Sequence, residues 1–387
     1  MTTFLATWLI TQTIAVLLIW YFALGVGRAA NPAGTPSVVV IVAVKGNHHE
    51  FGHFLDHLFA QTYPDYRVVF AVESADDTAI GPIEARRAAA PDRVDLVIAG
   101  LSDDEGQKVA NLRAALHAIR ASDAIVVFAD SDIRPDADWL AHLVDPLTRN
   151  EADLVSGFAW IVAKDGSPWS LIEISMAATM VTVPRLPVFN ACWGGSIAMR
   201  RERCEALKLD EIWRGALSDD LQLTAEVQRQ GLRVAAPPEV LPRLYVAIPR
   251  FSDISVDALR WLMLFRVYTP GTFALTLLGL TFAAAGWLGA VAAAAAGQPL
   301  LLGLAFALTL LRTAGRGLVV AQVWGRVGLV ENRAFLLCDP ITTPIAAVLN
   351  AAFAWCALFK RRAEWAGTVY EISGPQRTKV LSRRPPA

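Results

Sequence analysis

Two aspartates that directly follow an apolar segment are the residues of this sequence best suited to chemistry. Residues 124–129 are apolar and rich in Ile and Val, and Asp130 and Asp132 come next. A short apolar run bounded by polar residues predicts a buried strand. Ligands of open α/β sheets bind beyond the carboxyl ends of strands, and Mg²⁺ typically takes one or two carboxylates plus substrate phosphates. The pair therefore predicts a metal and phosphate site, and an Asx turn after a strand is the alternative.

Two further acidic pairs follow the same logic. Asp76 and Asp77 come just after the predicted strand 66–72, and Asp219 and Asp220 precede a helical pattern. Ser218 or Asp219 could cap that helix, but capping does not explain both aspartates. A carboxylate held at the start of a helix can act as a general base.

The elements that must position these residues alternate along the chain. Apolar strand patterns at residues 37–44, 66–72, 94–99 and 124–129 are separated by helical patterns at residues 49–60, 81–90 and 108–121. This alternation predicts an α/β fold with a parallel sheet and right-handed crossovers. A strand at 154–162, a helix at 170–180 and a glycine turn at 193–196 are expected next. The three histidines His49, His53 and His57 have a spacing that could hold zinc, although a polar helix face is the simpler interpretation.

Composition excludes several classes of protein. Hydrophobic residues make up 54% of the 387 residues and mean hydropathy is +0.40, which is too apolar for an ordinary soluble protein. The net charge of −1 gives no indication of nucleic-acid binding. The four cysteines have neither CxxC nor zinc spacing, so we expect free thiols in a reducing compartment.

The apolar segments predict an integral membrane protein. Residues 4–24 carry no charge and are long enough to span a bilayer. A cleaved signal peptide is the weaker alternative, because the basic n-region is missing and the apolar part is too long. Residues 251–267 predict an amphipathic surface helix, and the uncharged stretch between Arg266 and Arg312 allows two crossings.

The basic residues predict the orientation of these segments. Arg28, the region from Arg312 to Arg333 and residues 360–362 should be cytoplasmic together with the catalytic region, as expected in the inner membrane of a bacterium. Residues 334–359 must then begin and end on one side, and Asp339-Pro340 suggests a re-entrant or interfacial hairpin. The expected domains are an anchor (1–28), a catalytic domain (29–250), the surface helix (251–268), and a membrane region with a short cytoplasmic tail (269–387).

The ordered motifs resemble membrane-bound family 2 glycosyltransferases, and most closely the ceramide glucosyltransferases. The matching positions run through most of the chain: Asp76-Asp77, Lys108 and Asn111 of Lys-x-x-Asn-Leu, Asp130-Ser131-Asp132, Ser218-Asp219-Asp220, Arg260-Trp261 and residues 365–370. The chain departs from the family at Asp257, where the family has Gln or Arg, at Ser218, where it usually has Glu, and near Lys45-Gly46, where its lysine motif is incomplete.

This resemblance implies a GT-A fold with flanking transmembrane helices. It implies inverting transfer of a sugar, with glucose favoured, from a UDP-sugar to the hydroxyl of a membrane lipid, with a ceramide-like acceptor favoured. The roles it implies are Asp76 or Asp77 on the nucleoside, Lys108, Asn111 and Asp130 on the donor, Asp130 and Asp132 on Mg²⁺ or Mn²⁺, Asp220 as general base, Arg260 on the departing diphosphate, and Trp261 along the acceptor site.

Three other functions remain open at this point. The same chemistry could serve a hopanoid or a glycerolipid, with UDP-N-acetylglucosamine or another sugar donor. A polysaccharide synthase would need a translocation channel, and few membrane helices are available for one. A non-catalytic transporter or scaffold would not need acidic pairs at successive strand ends.

Overall fold

The computed structural model describes residues 2–178, 180–181 and 191–384, and it confirms the predicted α/β class. The strands are β1 (Val38–Ala43), β2 (Tyr66–Val72), β3 (Val94–Ile98), β4 (Ile125–Asp130), β5 (Ile133–Arg134), β6 (Leu154–Ser156), β7 (Trp160–Ala163), β8 (Ser196–Arg200), β9 (Val234–Ala235), β10 (Arg243–Val246), β11 (Arg362–Trp365), β12 (Thr368–Gly374) and β13 (Arg377–Arg383). The helices are α1 (Thr2–Gly25), α2 (His49–Phe59), α3 (Ile80–Ala89), α4 (Gln107–Leu116), α5 (Trp139–Thr148), α6 (Pro168–Ala177), α7 (Arg201–Leu207), α8 (Leu209–Trp213), α9 (Asp219–Gln230), α10 (Phe251–Tyr268), α11 (Pro270–Ala295), α12 (Leu300–Glu331) and α13 (Arg333–Ala357).

The central sheet has seven strands in the order β3-β2-β1-β4-β8-β6-β9. Its first four strands are parallel, and β8 runs antiparallel to β4 and β6. Val40 and Val42 of β1 pack into the core on one face, and Val39 and Ile41 pack into the core on the other. Burial on both faces explains why these strands are continuous apolar runs. Because β1, β2 and β4 are parallel, their carboxyl ends meet at one edge of the sheet.

The prediction of a single strand at residues 154–162 is wrong, because this segment forms two short strands that belong to different sheets. β6 joins the central sheet, whereas β7 joins a three-stranded sheet of order β5-β10-β7. The chain turns at Gly157, where a Cβ atom would lie 2.8 Å from the carbonyl oxygen of Val240. That close backbone approach ends the first strand.

Among the described residues, four helices are long and apolar enough to cross a membrane, namely Thr3–Gly25, Pro270–Ala295, Leu300–Glu331 and Arg333–Ala357. The first three match the predicted anchor and the predicted pair of crossings. Arg312 and Arg316, however, do not lie in a connection between helices. Both are inside α12, and Arg316 is buried there in an ion pair with Asp339.

The hairpin expected at residues 334–359 is wrong, because α13 is one continuous helix that includes Pro340 and Pro344. Its Asp339 is fully buried and accepts hydrogen bonds from Arg316 (2.7 Å), Thr313 (2.6 Å) and Ser175 (3.1 Å). Neighbouring helices therefore hold this segment, which is how prolines are tolerated in membrane helices.

Both ends of α13 nevertheless contact parts of the chain outside the membrane helices. Asn332, at its N-cap, accepts a hydrogen bond from Trp160 of β7 (2.9 Å). At the other end, Arg266 of α10 donates to the carbonyl oxygens of Ala357 (3.0 Å) and Lys360 (2.5 Å). These contacts join one end of α13 to β7 and the other end to α10.

The segment expected to be only a short polar tail folds as a sheet of β11, β12 and β13. Alternate residues of β12 are buried, among them Thr368, Tyr370 and Ile372. The side chain of Gln376 donates to backbone carbonyls between β8 and α9 in sequence, including that of Glu211 (2.9 Å). The sheet is therefore part of the catalytic domain. Residues 385–387 lie outside the described residues.

Candidate active site

A lysine and three aspartates from distant parts of the chain meet at the carboxyl edge of the central sheet. Lys108 of α4 places its Nζ atom 2.7 Å from Oδ1 of Asp130 and 3.2 Å from Oδ1 of Asp219. Asp130 ends β4, whereas Asp219 begins α9 beside Asp220. Three of the predicted site residues, Lys108, Asp130 and Asp220, are thus brought together with Asp219.

Charge is unevenly balanced within this group. Burial alone would lower the pKa of Lys108, but Asp130, Asp219 and Asp220 outweigh it and raise that pKa above its ordinary value. Burial is also the main cause that raises the pKa of Asp219 to about 6, and Lys108 opposes the shift. One ammonium group therefore serves three carboxylates, which leaves an excess of negative charge at the edge.

The start of α9 distinguishes the two adjacent aspartates. Ser218 is the cap, because its Oγ atom accepts a hydrogen bond from the backbone N–H of Leu221 (3.4 Å). Asp219 is only 1% exposed, and its Oδ2 atom has no hydrogen-bond partner among the described residues. Asp220 is half-buried and accepts hydrogen bonds from the N–H groups of Leu221 (2.7 Å) and Gly194 (3.0 Å).

Gly194 is required where it lies. A Cβ atom there would be 2.7 Å from Oδ2 of Asp219 and 2.7 Å from Nζ of Lys108. Only glycine permits this approach between the turn and the charged group. The glycine turn predicted from the sequence therefore holds Asp220 in place.

Two tyrosines support this arrangement: Tyr268, which no sequence motif indicated, and Tyr370, the last residue of the matched segment 365–370. The hydroxyl oxygen of Tyr268, at the end of α10, accepts hydrogen bonds from the N–H groups of Leu217 (2.7 Å) and Ser218 (3.2 Å). The hydroxyl of Tyr370 in β12 accepts from the N–H of Gln107 (3.2 Å), next to Lys108. The available signal for Tyr268 was an aromatic hydroxyl at the end of an apolar pattern, which needs a polar partner when buried.

Asp132 stands apart from the lysine. Its side chain is open to solvent, although desolvation by the surrounding protein and then the charge of Asp130 raise its pKa to about 7. Because the side chain is exposed, a ligand can reach the Asp132 carboxylate from solvent. Ser131, between the two aspartates, is hydrogen-bonded to His48 (3.2 Å), which fixes the turn.

The donor atoms at this turn fit a divalent cation only together with a phosphate. In the described part of the chain, no group of three or more His, Cys, Asp or Glu side chains could hold a metal ion. The three histidines of α2 are therefore no zinc site. One or two carboxylates with phosphate oxygens and water are nonetheless the usual ligands of Mg²⁺, and Asp130 with Asp132 supplies that set.

The other predicted donor-binding residues differ in their surroundings. Asp77 accepts hydrogen bonds from the N–H groups of Gly46 (2.9 Å) and Ala79 (2.8 Å), so it ties the loop after β1 to the loop after β2. Asp76 is exposed. Asn111 is buried beneath the edge, where its amide donates to the carbonyl of Ala71 (3.3 Å).

Arg260 and Trp261 lie on α10, outside the cluster of Lys108 and the aspartates. Arg260 forms an ion pair with Asp257 (2.9 Å), and its guanidinium is 5.1 Å from the ring centre of Trp365. Trp261 is 38% exposed. Among the described residues, no hydrogen bond or ion pair joins Arg260 to Asp130, Asp219 or Asp220.

This sheet order, the Asp-x-Asp turn after β4 and the acidic helix start facing it agree with the GT-A fold that the resemblance implied. The chain belongs to glycosyl transferase family 21, whose family model matches residues 3–378. The predicted family and the predicted enzyme class are therefore both confirmed. No curated protein matches the chain.

Several solved structures are similar to this chain. The mannosyltransferase PcManGT from Pyrobaculum calidifontis, in complex with GDP-Man and Mn²⁺, is 20% identical with a TM-score of 0.49, covering 92% of this chain and 98% of that chain. TarS 1–349 from S. aureus, in complex with UDP-GlcNAc, is 14% identical with a TM-score of 0.40, covering 90% and 100%. Glucosyl-3-phosphoglycerate synthase from Mycobacterium tuberculosis, in complex with Mn²⁺, UDP and its product, is 18% identical with a TM-score of 0.38, covering 62% and 85%. Membership of the family, rather than these similarities, establishes sugar transfer.

Proposed function

We propose that the protein transfers a sugar, with glucose favoured, from a UDP-sugar to the hydroxyl of a ceramide-like membrane lipid, with inversion at the anomeric carbon. One observation supports this most strongly. Tyr268 of α10 accepts hydrogen bonds from the residues that lead into Asp219 and Asp220. The helix that meets the membrane segments is therefore bonded directly to the acidic helix start.

Asp220 is the general base in this proposal. Its carboxylate takes the proton of the acceptor hydroxyl while the acceptor oxygen attacks the anomeric carbon. The bond from that carbon to the diphosphate oxygen breaks, and its electron pair leaves with UDP. Asp220 is preferred over Asp219 because Asp219 is buried against Lys108, whereas Asp220 is partly open. Such a base typically contributes a factor of about 10²–10⁴ to the rate.

The donor would lie across the carboxyl edge of β1, β2 and β4. The exposed Asp76 can accept hydrogen bonds from a uracil N–H or a ribose hydroxyl, while Asp77 holds the loop beneath it. Asp130 and Asp132 would hold Mg²⁺ or Mn²⁺, which when bound neutralises charge on the leaving diphosphate. Lys108 pairs with Asp130 and orients it, and Asn111 supports the strand ends from below.

The acceptor would enter along α10. This helix packs against α11 and α13 on one side and against α9 on the other, and its exposed residues include Trp261. Trp261 would form a wall of the acceptor site. Arg260, which the resemblance places on the diphosphate, is paired with Asp257, so we assign it to the acceptor side instead.

The experiment is sugar transfer by the full chain in detergent micelles, with UDP-glucose and ceramide as substrates and mass spectrometry of the products. Glucosylated ceramide that forms with the wild type, and not with Asp220→Asn, is the expected result. Transfer only to water-soluble acceptors would refute the lipid assignment. Transfer from UDP-N-acetylglucosamine to a hopanoid or glycerolipid would establish the alternative substrate pair.

A further inference from the structure

Helix α6 buries a carboxyl group that the proposed reaction does not use. Glu173 lies in the middle of this helix and is only 4% exposed. Its Oε2 atom has no hydrogen-bond partner among the described residues. A buried polar atom without a partner lowers the stability of the fold. A ligand that donated a hydrogen bond to this oxygen would remove that penalty.

The charged neighbours of Glu173 lie on α10. Asp257 and Arg260 both act on the Glu173 carboxyl, and they pair with each other at 2.9 Å. Around them, apolar residues of α6 and α10 pack together, among them Ile172 and Ala258. Of the two carboxyl groups near this guanidinium, Asp257 forms the ion pair, and Glu173 feels its charge from the facing helix.

Arg260 also has an unused hydrogen-bonding group. Its Nε atom is buried and has no acceptor among the described residues, because the ion pair with Asp257 uses only a terminal nitrogen. The same contact thus contains an unpartnered carboxyl oxygen on Glu173 and an unpartnered N–H on Arg260. The two residues lie on different helices that pack together, so both unsatisfied groups are buried in this region.

The protonation of Glu173 determines what the contact offers. Burial, and next the charge of Asp257, raise its pKa to about 8, and Arg260 opposes the shift. At neutral pH the group is therefore largely a carboxylic acid, which has an O–H that donates and a carbonyl oxygen that accepts. The cluster then carries no excess charge, since Asp257 and Arg260 neutralise each other.

We propose that Glu173 and Arg260 bind the polar head of the acceptor lipid, and that they select a head with neutral groups that both donate and accept hydrogen bonds. A hydroxyl or a secondary amide meets this requirement, because it accepts from one partner and donates to the other. This inference rests on the proposed function, and it adds a residue of α6 that no sequence motif indicates. The same inference assigns a role to Asp257, which neutralises the charge of Arg260.

Asp257 explains why an anionic head is disfavoured. The ceramide glucosyltransferases that the sequence resembles have Gln or Arg at this position, whereas here a carboxylate already occupies the guanidinium of Arg260. A lipid phosphate entering the cluster would meet the carboxylate of Asp257, and the guanidinium of Arg260 that could balance it is already paired. Like charges at close range in an apolar setting are strongly unfavourable.

The location suits an acceptor subsite. Arg260 precedes the exposed Trp261 on α10, and the same helix ends at Tyr268, which holds the turn before Asp220. One continuous helix therefore links the Glu173 cluster, the exposed aromatic surface and the base.

The test compares two substitutions in the full chain, in micelles of one detergent, with UDP-glucose and short-chain ceramide. Glu173→Leu removes both hydrogen-bonding functions at similar volume, and Glu173→Gln keeps a donor and an acceptor without a titrating proton. Ile172→Leu, in the same helix contact, is the control for repacking. The measurements are KM for each substrate, kcat, UDP-glucose hydrolysis without acceptor, and the melting temperature.

We expect Glu173→Leu to raise the KM for ceramide about 10-fold or more, the usual consequence of one lost buried hydrogen bond. The KM for UDP-glucose and its hydrolysis should stay unchanged, and the melting temperature should stay equal or rise, because an unsatisfied polar group is gone. Glu173→Gln should bind ceramide like the wild type at pH 7. Above about pH 8 the wild type should lose ceramide affinity as Glu173 ionises, and Glu173→Gln should not.

A Glu173→Leu protein with wild-type KM for ceramide would overturn the inference while the proposed function stands. A wild type that hydrolyses UDP-glucose but glycosylates no ceramide would instead refute the proposed acceptor, and this inference with it. If Glu173→Leu fails to fold, the pH profiles decide: the same loss of ceramide affinity above pH 8 in Glu173→Gln and in the wild type would exclude a role for the Glu173 proton.

Discussion

The substitutions Asp220→Asn and Asp219→Asn separate the base from its structural neighbour at the start of α9. In Asp220→Asn, one carboxylate oxygen becomes an NH₂ group, which faces the N–H of either Gly194 or Leu221. One hydrogen bond to a charged acceptor is lost, at a cost of about 1–3 kcal/mol of stability. Ser218 still caps the helix, and its hydroxyl, which donates to Oδ1 of Asp220, can donate to the amide oxygen instead. The loss of turnover should be far larger, about 10²–10⁴-fold.

The effect of Asp219→Asn should be the reverse. Asp219 is buried beside Lys108, and losing one partner of a buried ion pair is usually costly. Here Lys108 retains Asp130 at 2.7 Å, so we expect a loss of about 1–3 kcal/mol, smaller than for an isolated pair. Substantial turnover should remain in the folded fraction, since the substituted group does not face the acceptor.

The assay measures melting temperature, UDP-sugar affinity and kcat for both variants under the same conditions. Asp220→Asn should fold and bind donor yet be nearly inactive, and Asp219→Asn should melt earlier but remain active. If Asp219→Asn is the inactive variant and Asp220→Asn turns over normally, the base is the other carboxylate. Equal loss of kcat in both variants would mean that the two act as one unit.

Three further predictions concern residues around this centre. Asp132→Asn should fold normally but lose metal-dependent donor binding, as measured by titration with UDP-sugar with and without Mg²⁺; full activity in EDTA would exclude the metal. Tyr268→Phe leaves the N–H groups of Leu217 and Ser218 without an acceptor, so the melting temperature and kcat should both fall, and an unchanged kcat would exclude a positioning role. The pKa of Glu173 is raised from 4.5 to about 8, so the folded state holds a proton that the unfolded chain releases, and stability should fall as pH rises from about 4.5 to 8. Glu173→Gln should flatten that dependence in thermal unfolding, and identical pH dependence in the two proteins would contradict the shift.

Local pattern determined much of the fold from the sequence alone. The strand and helix patterns up to Asp130 reappear within a few residues of their predicted bounds, with one exception: α4 ends at Leu116 rather than at residue 121. The anchor and the two crossings after Arg266 are likewise found as helices. These predictions succeed because burial on both faces of a sheet, or along a whole helix, imposes an apolar period that neighbours in sequence already display.

The carboxylates at the candidate site could also be predicted, because chain direction places the ends of parallel strands at one edge. Their different roles could not. That Asp219 is paired with Lys108 and that Asp220 is held by Gly194 depend on contacts between segments far apart in sequence. Sequence spacing contains no information on which of two adjacent side chains will be buried.

Only the tertiary structure decided the path of α13 and of the last strands. Asp339-Pro340 is typical of a break, yet α13 continues because Asp339 is bound by Arg316 and by Ser175, which is 164 residues away in sequence. Residues 362–383 read as a polar tail, yet Tyr370 reaches across 263 residues to Gln107. In each case the partner that satisfies a buried polar group lies far away in the chain, and local periodicity reports that a side chain is buried but not against what.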